Sequence, residues 1–498
     1  MEPVGTILLL DCQVIASLLG RIIYNLFFHP LASFPGPWLQ ASSTIPLMYA
    51  TLIGHEHSVV VSMHKKYGPV VRIAPNKLSY ITSKAWQDIY GHRNRAEPEM
   101  LKDSKWYVRN PNGPDIIYCS RAEHRRYRAL FANGFSDRSL RSQESLINGY
   151  VTQLIDTLEQ RVREDENAVF DMATWFGCVT FDIVGDLTFG ESFDCLSSGG
   201  LHAWLHRLFE SVKASVVLRV LQEVPLLGRY STTIFPRLLR LGVLKSNREH
   251  LAFTEDKVRR RLSCKEPRAD FLDPILRKPE GHGLSYSELL SSSSILITAG
   301  GETTMTGLSG ILYLLLTHPE KMAVLAKEVR DAFQDESMVT IQSTSRLPYL
   351  GAVIEEGLRL YPPAPIGLPR TVPDGGFMID GRFVPGGTSV RVSHLAAYRS
   401  ATNFSRPDEF CPERFLNPAA FADDLAVFQP FSVGPRSCIG RNLAYAEMQL
   451  ILARLLHHFD IRLEDPGFAF EMQRTFSTWE KPPLNVSLVP RRTACSMK

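Results

Sequence analysis

Apolar positions recur with a helical spacing through most of the chain, and only a few short runs alternate strictly. Ser58 to Tyr67 predicts a helix, and Val70 to Ile73 with Lys77 to Ile81 predict a small hairpin around Ala74-Pro75-Asn76. Asp103 to Pro114 has no period and reads as a loop. Helical spacing returns in Glu123 to Phe131 and dominates from Leu146 to about Arg261. Within that span Leu218 to Leu241 is apolar but interrupted by Pro225 and Pro236. Ser285-Tyr-Ser-Glu288 has the form of a capping box and opens a helix to Thr317, where His318-Pro319 starts the next. At ~1.5 Å per residue that helix is about 50 Å long, enough to cross a whole domain. Pro348 to Leu360 predicts a further helix, closed by Tyr361-Pro-Pro363. Phe377 to Asp380 and Arg382 to Val392 predict strands around Gly381 and Gly386-Gly387. Asn442 to His458 is an amphipathic run, and Asp460 to Pro490 a terminal hairpin region. The fold class is mainly α with a small β region.

The first residues differ in kind. Val4 to Leu19 is almost wholly apolar, broken by Asp11 and Gln13 and followed by Arg21. A second apolar cluster, Ile22 to Phe28, leads into His29-Pro-Leu-Ala-Ser-Phe-Pro35-Gly36-Pro37. This predicts a membrane anchor helix over 1–28, a proline-rich hinge over 29–40 and a catalytic domain over 41–498. The start Met-Glu-Pro lacks the basic n-region of a cleaved signal, and no small-residue cleavage site precedes the hinge. The apolar core is slightly short of the ~20 residues a spanning helix needs. The anchor therefore extends through Ile22 to Phe28 or lies tilted in the interface. Arg21 and the later basic residues favour a cytosolic catalytic part.

Composition adds limits. A chain of 498 residues exceeds the usual single core, and 44% hydrophobic with 21% charged residues is ordinary for a globular protein. A net charge of +3 gives no argument for nucleic acid. The eight cysteines are scattered, with no Cys-x-x-Cys pair and no zinc spacing, which reads as a reducing compartment with one functional thiol. His202 with His206, and His55 with His57, are spaced for a metal, but no third ligand stands near either pair, so both read as surface histidines.

That one thiol is Cys438, in Phe431-Ser-Val-Gly434-Pro-Arg436-Ser-Cys438-Ile-Gly440. Gly434 and Gly440 allow backbone geometry closed to other residues and a close approach to a flat ligand. A cysteine just before a helix meets amide N–H groups and the positive dipole end, which favours the thiolate. Arg436 offers a fixed cation for an acidic cofactor group, and Phe431 could shield the sulfur from water. Taken alone, Cys438 fits a buried free cysteine at least as well. The long helix carries Ala299-Gly300-Gly301-Glu302-Thr303-Thr304 at its middle. Adjacent glycines inside a helix cost roughly 1 kcal/mol each, which leaves room for a flat ligand and an opened hydrogen-bond ladder. An acid beside a hydroxyl there can pass protons; the alternative is a helix-packing glycine pair with a solvated Glu302. His124 and Arg128 share a helical face at i, i+4, and Glu356 and Arg359 stand at i, i+3. A surface pair of the latter kind would contribute little.

The 431–440 stretch matches every specified position of the haem-binding signature of the cytochrome P450 family, Phe-x-x-Gly-x-Arg-x-Cys-x-Gly. Residues 299–304 resemble that family's oxygen-activation motif, and Glu356 with Arg359 its Glu-x-x-Arg motif. Pro412-Glu413-Arg414-Phe415 resembles the segment that supplies the third member of that network. The 123–131 run resembles the helix that contacts the haem propionates, with His124 where Trp is common, and Arg370 in Leu-Pro-Arg matches another propionate position. Tyr398-Arg399-Ser400 departs from the family's frequent His-Arg-Asp wording. The hinge wording looks like that of filamentous-fungal members.

The resemblance implies haem b with the Cys438 thiolate as its axial metal ligand. It implies cofactor contacts from His124, Arg128, Gly300, Gly301, Arg370, Phe431, Arg436 and Gly440, proton delivery by Glu302 and Thr303, and a structural network of Glu356, Arg359 and Arg414. The implied activity is monooxygenation of a lipophilic small molecule by O2, as a tailoring step in fungal secondary metabolism of a terpenoid, polyketide or alkaloid. No nucleotide-binding glycine fingerprint is present, so electrons are expected from a separate NADPH-cytochrome reductase docking near Arg436 and Arg441. The implied location is the endoplasmic reticulum membrane with the catalytic domain cytosolic, and no nucleic-acid partner. Pocket residues are expected from 103–119, 200–240 and 366–368. Two rivals remain: a haem-thiolate isomerase or dehydratase that needs no reductase, against which the Glu302-Thr303 pair argues, and a non-catalytic haem-binding membrane protein.

Overall fold

The computed structural model describes residues 2–93, 99–107, 113–223, 243–264, 266–279, 282–465 and 473–491. Its axis is the Tyr286–Thr317 helix, which starts where the sequence predicts. The Ser285 hydroxyl accepts from the Glu288 N–H, and the Glu288 carboxylate accepts from the Ser285 N–H. The helix packs along Met172–Phe189, and Arg441–His458 crosses it while also lying on the Asp137–Glu164 helix. The Arg441–His458 helix, read as amphipathic, is buried over most of its circumference, because five helices pack against it: Asp137–Glu164, Tyr286–Thr317, Pro319–Ala332, Ile341–Thr344 and Pro348–Leu360. Arg121–Phe131 and Pro348–Leu360 complete the helical elements that matter for the site.

The β region is a five-stranded sheet in the order Val70–Ala74, Lys77–Tyr80, Ser389–Val392, Arg370–Thr371, Leu101–Lys102. The second and third strands run parallel and the other pairs antiparallel. The run Arg382 to Val392, expected as one strand, is two: Arg382–Val384 pairs with Phe377–Ile379, and Ser389–Val392 joins the larger sheet. Pro385 has no N–H to donate and Gly387 turns with φ +76°, so the ladder cannot continue through them. At the C-terminal end Asn485–Pro490 lies between Phe459–Leu463 and Val169–Asp171. The 224–241 part of the expected pocket lid, the 108–112 part of the expected loop and the 466–472 part of the terminal region lie outside the described residues.

At the N-terminus Glu2–Ile23 is a helix, continued by a π-helical turn Tyr24–Phe28. Among the described residues no helix is long and apolar enough to cross a membrane, so a transmembrane span is not supported. The proline-rich segment is tied to the first strand. Arg72 N–H donates to Pro35 O at 2.7 Å, and a Cβ on Gly36 would sit 2.5 Å from Arg72 O. Two apolar cores result, one among the helices and one beneath the sheet. The Cys438 loop joins them: Phe431 and Ile439 pack on the first, Val433 on the second.

Candidate cofactor and active site

The cysteine loop is shaped by one glycine rather than two. Gly434 has φ +75°, and a Cβ there would lie 1.9 Å from Tyr90 O. Gly440 has φ −87°, and its nearest neighbour to a Cβ is Phe135 Cε1 at 3.8 Å, so its backbone is open to other residues. Cys438 N–H donates to Phe431 O at 2.8 Å, closing the loop before the Arg441–His458 helix. Cys438 keeps accessible surface, yet enough protein surrounds it for burial to push its thiol up. The Gly440 N–H, Arg128 and Arg441 pull the other way without reversing it. The expected activation by the helix start is thus present but insufficient alone. A bound metal cation is the term that deprotonates a ligating thiol outright. The Phe431 ring lies 5.0 Å from that of Tyr445.

Basic side chains converge beside this loop. Arg128 donates through Nη1 to Ser437 O and through Nη2 to Ser437 Oγ at 3.4 Å, so it holds the loop one residue from the sulfur. His124 is buried and pushed down to about 3 by burial, then by Arg436, Lys102, Arg128 and Arg370. Arg370 sits directly opposite Lys102 on adjacent antiparallel strands, an arrangement that like charges destabilise unless an anion intervenes. Arg370 is buried, and among the described residues its Nε and Nη1 have no partner. Arg436 gives Nε to Glu99 at 3.0 Å, while among the described residues its Nη1 has no partner. These orphaned donors fit a flat cofactor that carries carboxylates. Lys102 was missed by the sequence reading, since it belongs to no motif and its strand has two residues.

Lys102 is pushed down to about 7 by burial, then by Arg436 and Arg370, with Cys119 and Asp115 opposing weakly. In haem-free protein the unfolded chain keeps the proton up to near 10.5 while the folded chain has released it, so stability rises with pH across that window. Lys102→Met is expected to flatten that rise and to speed haem loss about tenfold, the worth of one charge-assisted bond. Thermal scans on both sides of neutrality and haem transfer to an acceptor protein check the two halves. Unchanged haem release would remove Lys102 from the site.

On the long helix, Thr303 is half-buried and donates to Ala299 O at 2.6 Å. Glu302 is buried, and its Oε1 lies 2.5 Å from Lys481 Nζ, a partner from the C-terminal segment that the sequence reading also missed. Lys481 reaches Thr306 Oγ1 at 3.0 Å, and among the described residues Glu302 Oε2 has no partner. Among the described residues no hydrogen bond joins Glu302 to Thr303, so the expected acid–hydroxyl pair is adjacent in sequence but separately held. A Cβ on Gly300 would meet Val184 at 2.8 Å and one on Gly301 would meet Phe181 at 2.5 Å, so their missing side chains admit the neighbouring helix. Glu447, on the cysteine helix, is a further buried acid beside Thr304, pushed up to about 8 by burial.

Glu356, Arg359 and Arg414 come together as predicted, all fully buried. Arg359 Nε meets Glu356 Oε2 at 2.7 Å, and Arg414 Nε meets Glu356 Oε1 at 3.1 Å. Asp423, not foreseen, pairs with Arg414 Nη1. Of the histidines read as surface, His57 is buried, with Nδ1 2.9 Å from Thr475 Oγ1 and its ring 4.9 Å from that of Trp479. His202 stacks near Phe253 at 5.3 Å.

Residues from all three expected pocket stretches line one cleft, among them Trp106, Val216, Val220 and Ile366. A family model described as Cytochrome P450 matches residues 41–486. The chain is 42% identical to a cytochrome P450 monooxygenase of Aspergillus oryzae over 95% of each chain. It is 41% identical to the trichothecene C-15 hydroxylase of Fusarium sporotrichioides over 96% of each. It is 42% identical to the averantin hydroxylase of Dothistroma septosporum over 95% of this chain and 89% of that one.

Proposed function

This chain belongs to the cytochrome P450 family, and from that premise we infer that it is a haem-dependent monooxygenase carrying out a tailoring oxidation of a lipophilic small molecule in fungal secondary metabolism. The hydroxylases it resembles are named for different scaffolds, so what carries over is the reaction and not the substrate. The observation that supports it most directly is the set of unpartnered guanidinium N–H groups on Arg370 and Arg436 beside the Cys438 loop. When bound there, haem supplies oxygen activation, and a thiolate ligand adds the electron density that favours O–O cleavage.

The chain's own residues then have separable tasks. Cys438 holds the iron, Arg128 fixes the loop that presents it, and Phe431 limits water at the sulfur. His124, Lys102, Arg370 and Arg436 hold the propionates. Thr303 hands a proton inward by releasing Ala299 O, and Glu302 resupplies it once its bond to Lys481 loosens. Thr303→Ala is expected to raise the hydrogen peroxide released per NADPH severalfold, and unchanged coupling would end the relay assignment. Electrons come from an NADPH-dependent reductase docking on the cysteine side. Exposed Arg441 suits that contact better than Arg436, whose guanidinium is drawn inward by Glu99.

Attachment to the endoplasmic reticulum membrane through 1–28 is supported by the exposed Phe27 and Phe28, with Trp38, Ile45 and Tyr49 also exposed just beyond. Recovery of the expressed chain in the soluble fraction would count against it. The test of the whole reading is the ferrous carbonyl spectrum of the purified protein, followed by turnover with and without NADPH and reductase. Turnover without either would favour the isomerase reading, and a haem with both axial positions filled would favour the non-catalytic one.

A further inference from the structure

The cleft carries a cation to which the proposed chemistry gives no task. Arg219 lies near the end of the Ala203–Glu223 helix and lines the cleft together with Trp106, Val216, Val220 and Ile366. Its Nη2 donates to Ser477 Oγ at 2.6 Å, its Nε to Ser215 O at 3.4 Å, and its guanidinium lies 4.7 Å from the centroid of the Trp106 ring. None of these partners is an anion. The carboxylates of the cleft wall are each engaged elsewhere. Glu56 holds Arg391 at 2.6 Å, Glu223 holds Lys77 at 2.5 Å, and Asp103 accepts from Ser389 Oγ at 2.5 Å. Among the described residues no carboxylate lies within ion-pair reach of Arg219. Burial lowers its pKa, and the more distant charges of Tyr118, Glu56 and Tyr107 oppose this without reversing it.

A guanidinium has five N–H donors in a planar fork, and two bonds to neutral oxygens leave most of that fork unspent. The Trp106 face restrains the plane, and Ser477 restrains the rotation, so the remaining donors are preorganised for a planar acceptor. The matching acceptor is a carboxylate, which takes two parallel N–H bonds from an arginine. Leu47, Val216, Val220 and Ile366 supply apolar wall around it.

We propose that Arg219 is a specificity-determining residue that binds a carboxylate on the substrate, so that the class this enzyme accepts is lipophilic carboxylic acids. The proposal rests on the monooxygenase reading and narrows its substrate. It does not depend on which carbon is oxidised.

The test uses the haem-loaded full chain and two probes, decanoic acid and methyl decanoate, with affinities read by titration calorimetry near neutral pH. Wild type is expected to bind the acid at least tenfold more tightly than the ester. Arg219→Gln should weaken the acid at least tenfold and leave the ester within twofold, and Arg219→Lys should keep part of the preference. A merely structural Arg219 would move both probes together. Equal affinities in wild type, no binding of either probe, or a preference that survives in Arg219→Gln overturns the proposal. The ferrous carbonyl spectrum of the same preparations keeps the two questions apart. Loss of the thiolate signature would sink the monooxygenase reading, whereas an absent acid preference with that signature intact sinks only the role of Arg219.

Discussion

Cys438→Ala protein supplied with haem is expected to lose the spectrum of a thiolate-ligated ferrous carbonyl, and monooxygenation should fall at least about a thousandfold as the electron push disappears. The fold should survive the change. The bond that shapes the loop runs from the Cys438 backbone N–H to Phe431 O, and alanine retains it. Among the described residues the sulfur anchors no hydrogen-bond network: what acts on it are the Gly440 N–H and the more distant charges of Arg128 and Arg441. Burial outweighs those three in the protein alone, so the side chain is arranged to be completed by a cation and not to stand as a free nucleophile. That separates the ligand reading from that of a reactive or redox-sensing cysteine. Alkylation of the haem-free protein should accordingly be slow for this thiol. Survival of the thiolate spectrum in the variant would place the ligand elsewhere in the chain.

Legibility from sequence divided along a physical line. The Tyr286–Thr317 helix could be read to the residue because its capping box and following proline are local signals that tertiary packing left alone. The Glu356–Arg359 pair was likewise local, being one turn of one helix. Lys102, Lys481 and Asp423 could not be read in the same way. Lys102 sits on a two-residue strand, Lys481 meets Glu302 across a long sequence separation, and Asp423 reaches Arg414 through a loop with no local signal; all three are residue types that are ordinarily solvated surface groups. The glycine pair 300–301 was only half legible for a related reason. Sequence shows that room is made on a helix but not for whom, and Val184 and Phe181 turn out to occupy it. Gly440 shows the converse, a motif glycine whose φ of −87° demands no glycine. The pocket was legible only as three stretches, because what unites Trp106, Arg219 and Ile366 is the packing of a helix end against the sheet.

Arg359→Lys is the second change expected to act strongly, although it keeps the charge. Arg359 uses its whole fork. Nε and Nη2 hold the two Glu356 oxygens at 2.7 and 2.8 Å, Nη1 reaches Tyr398 O at 2.8 Å and Pro407 O at 2.6 Å, and Nη2 also reaches Glu409 O at 3.0 Å. The carbonyls belong to the 398–409 segment, while Glu356 Oε1 accepts from Cys411 N–H at 2.8 Å, so one side chain ties a helix to the connection that runs on toward the cysteine loop. Lysine offers three donors from one point and cannot span these directions. It would leave carbonyls unpaired and Glu356 poorly neutralised in a region from which water is excluded. Breaking a buried pair in this way costs about 3–5 kcal/mol, a large share of what a folded domain has to spare. The expected outcome is a low yield of haem-loaded protein and haem release at lower urea than wild type, with the remaining loaded fraction still showing a thiolate-type carbonyl spectrum. Since Arg359 is placed to hold the loop and not to touch the substrate, substrate affinity in that fraction should be unchanged. A variant that retains haem as wild type does, or that shifts substrate affinity instead, would show that this network does not position the cysteine loop.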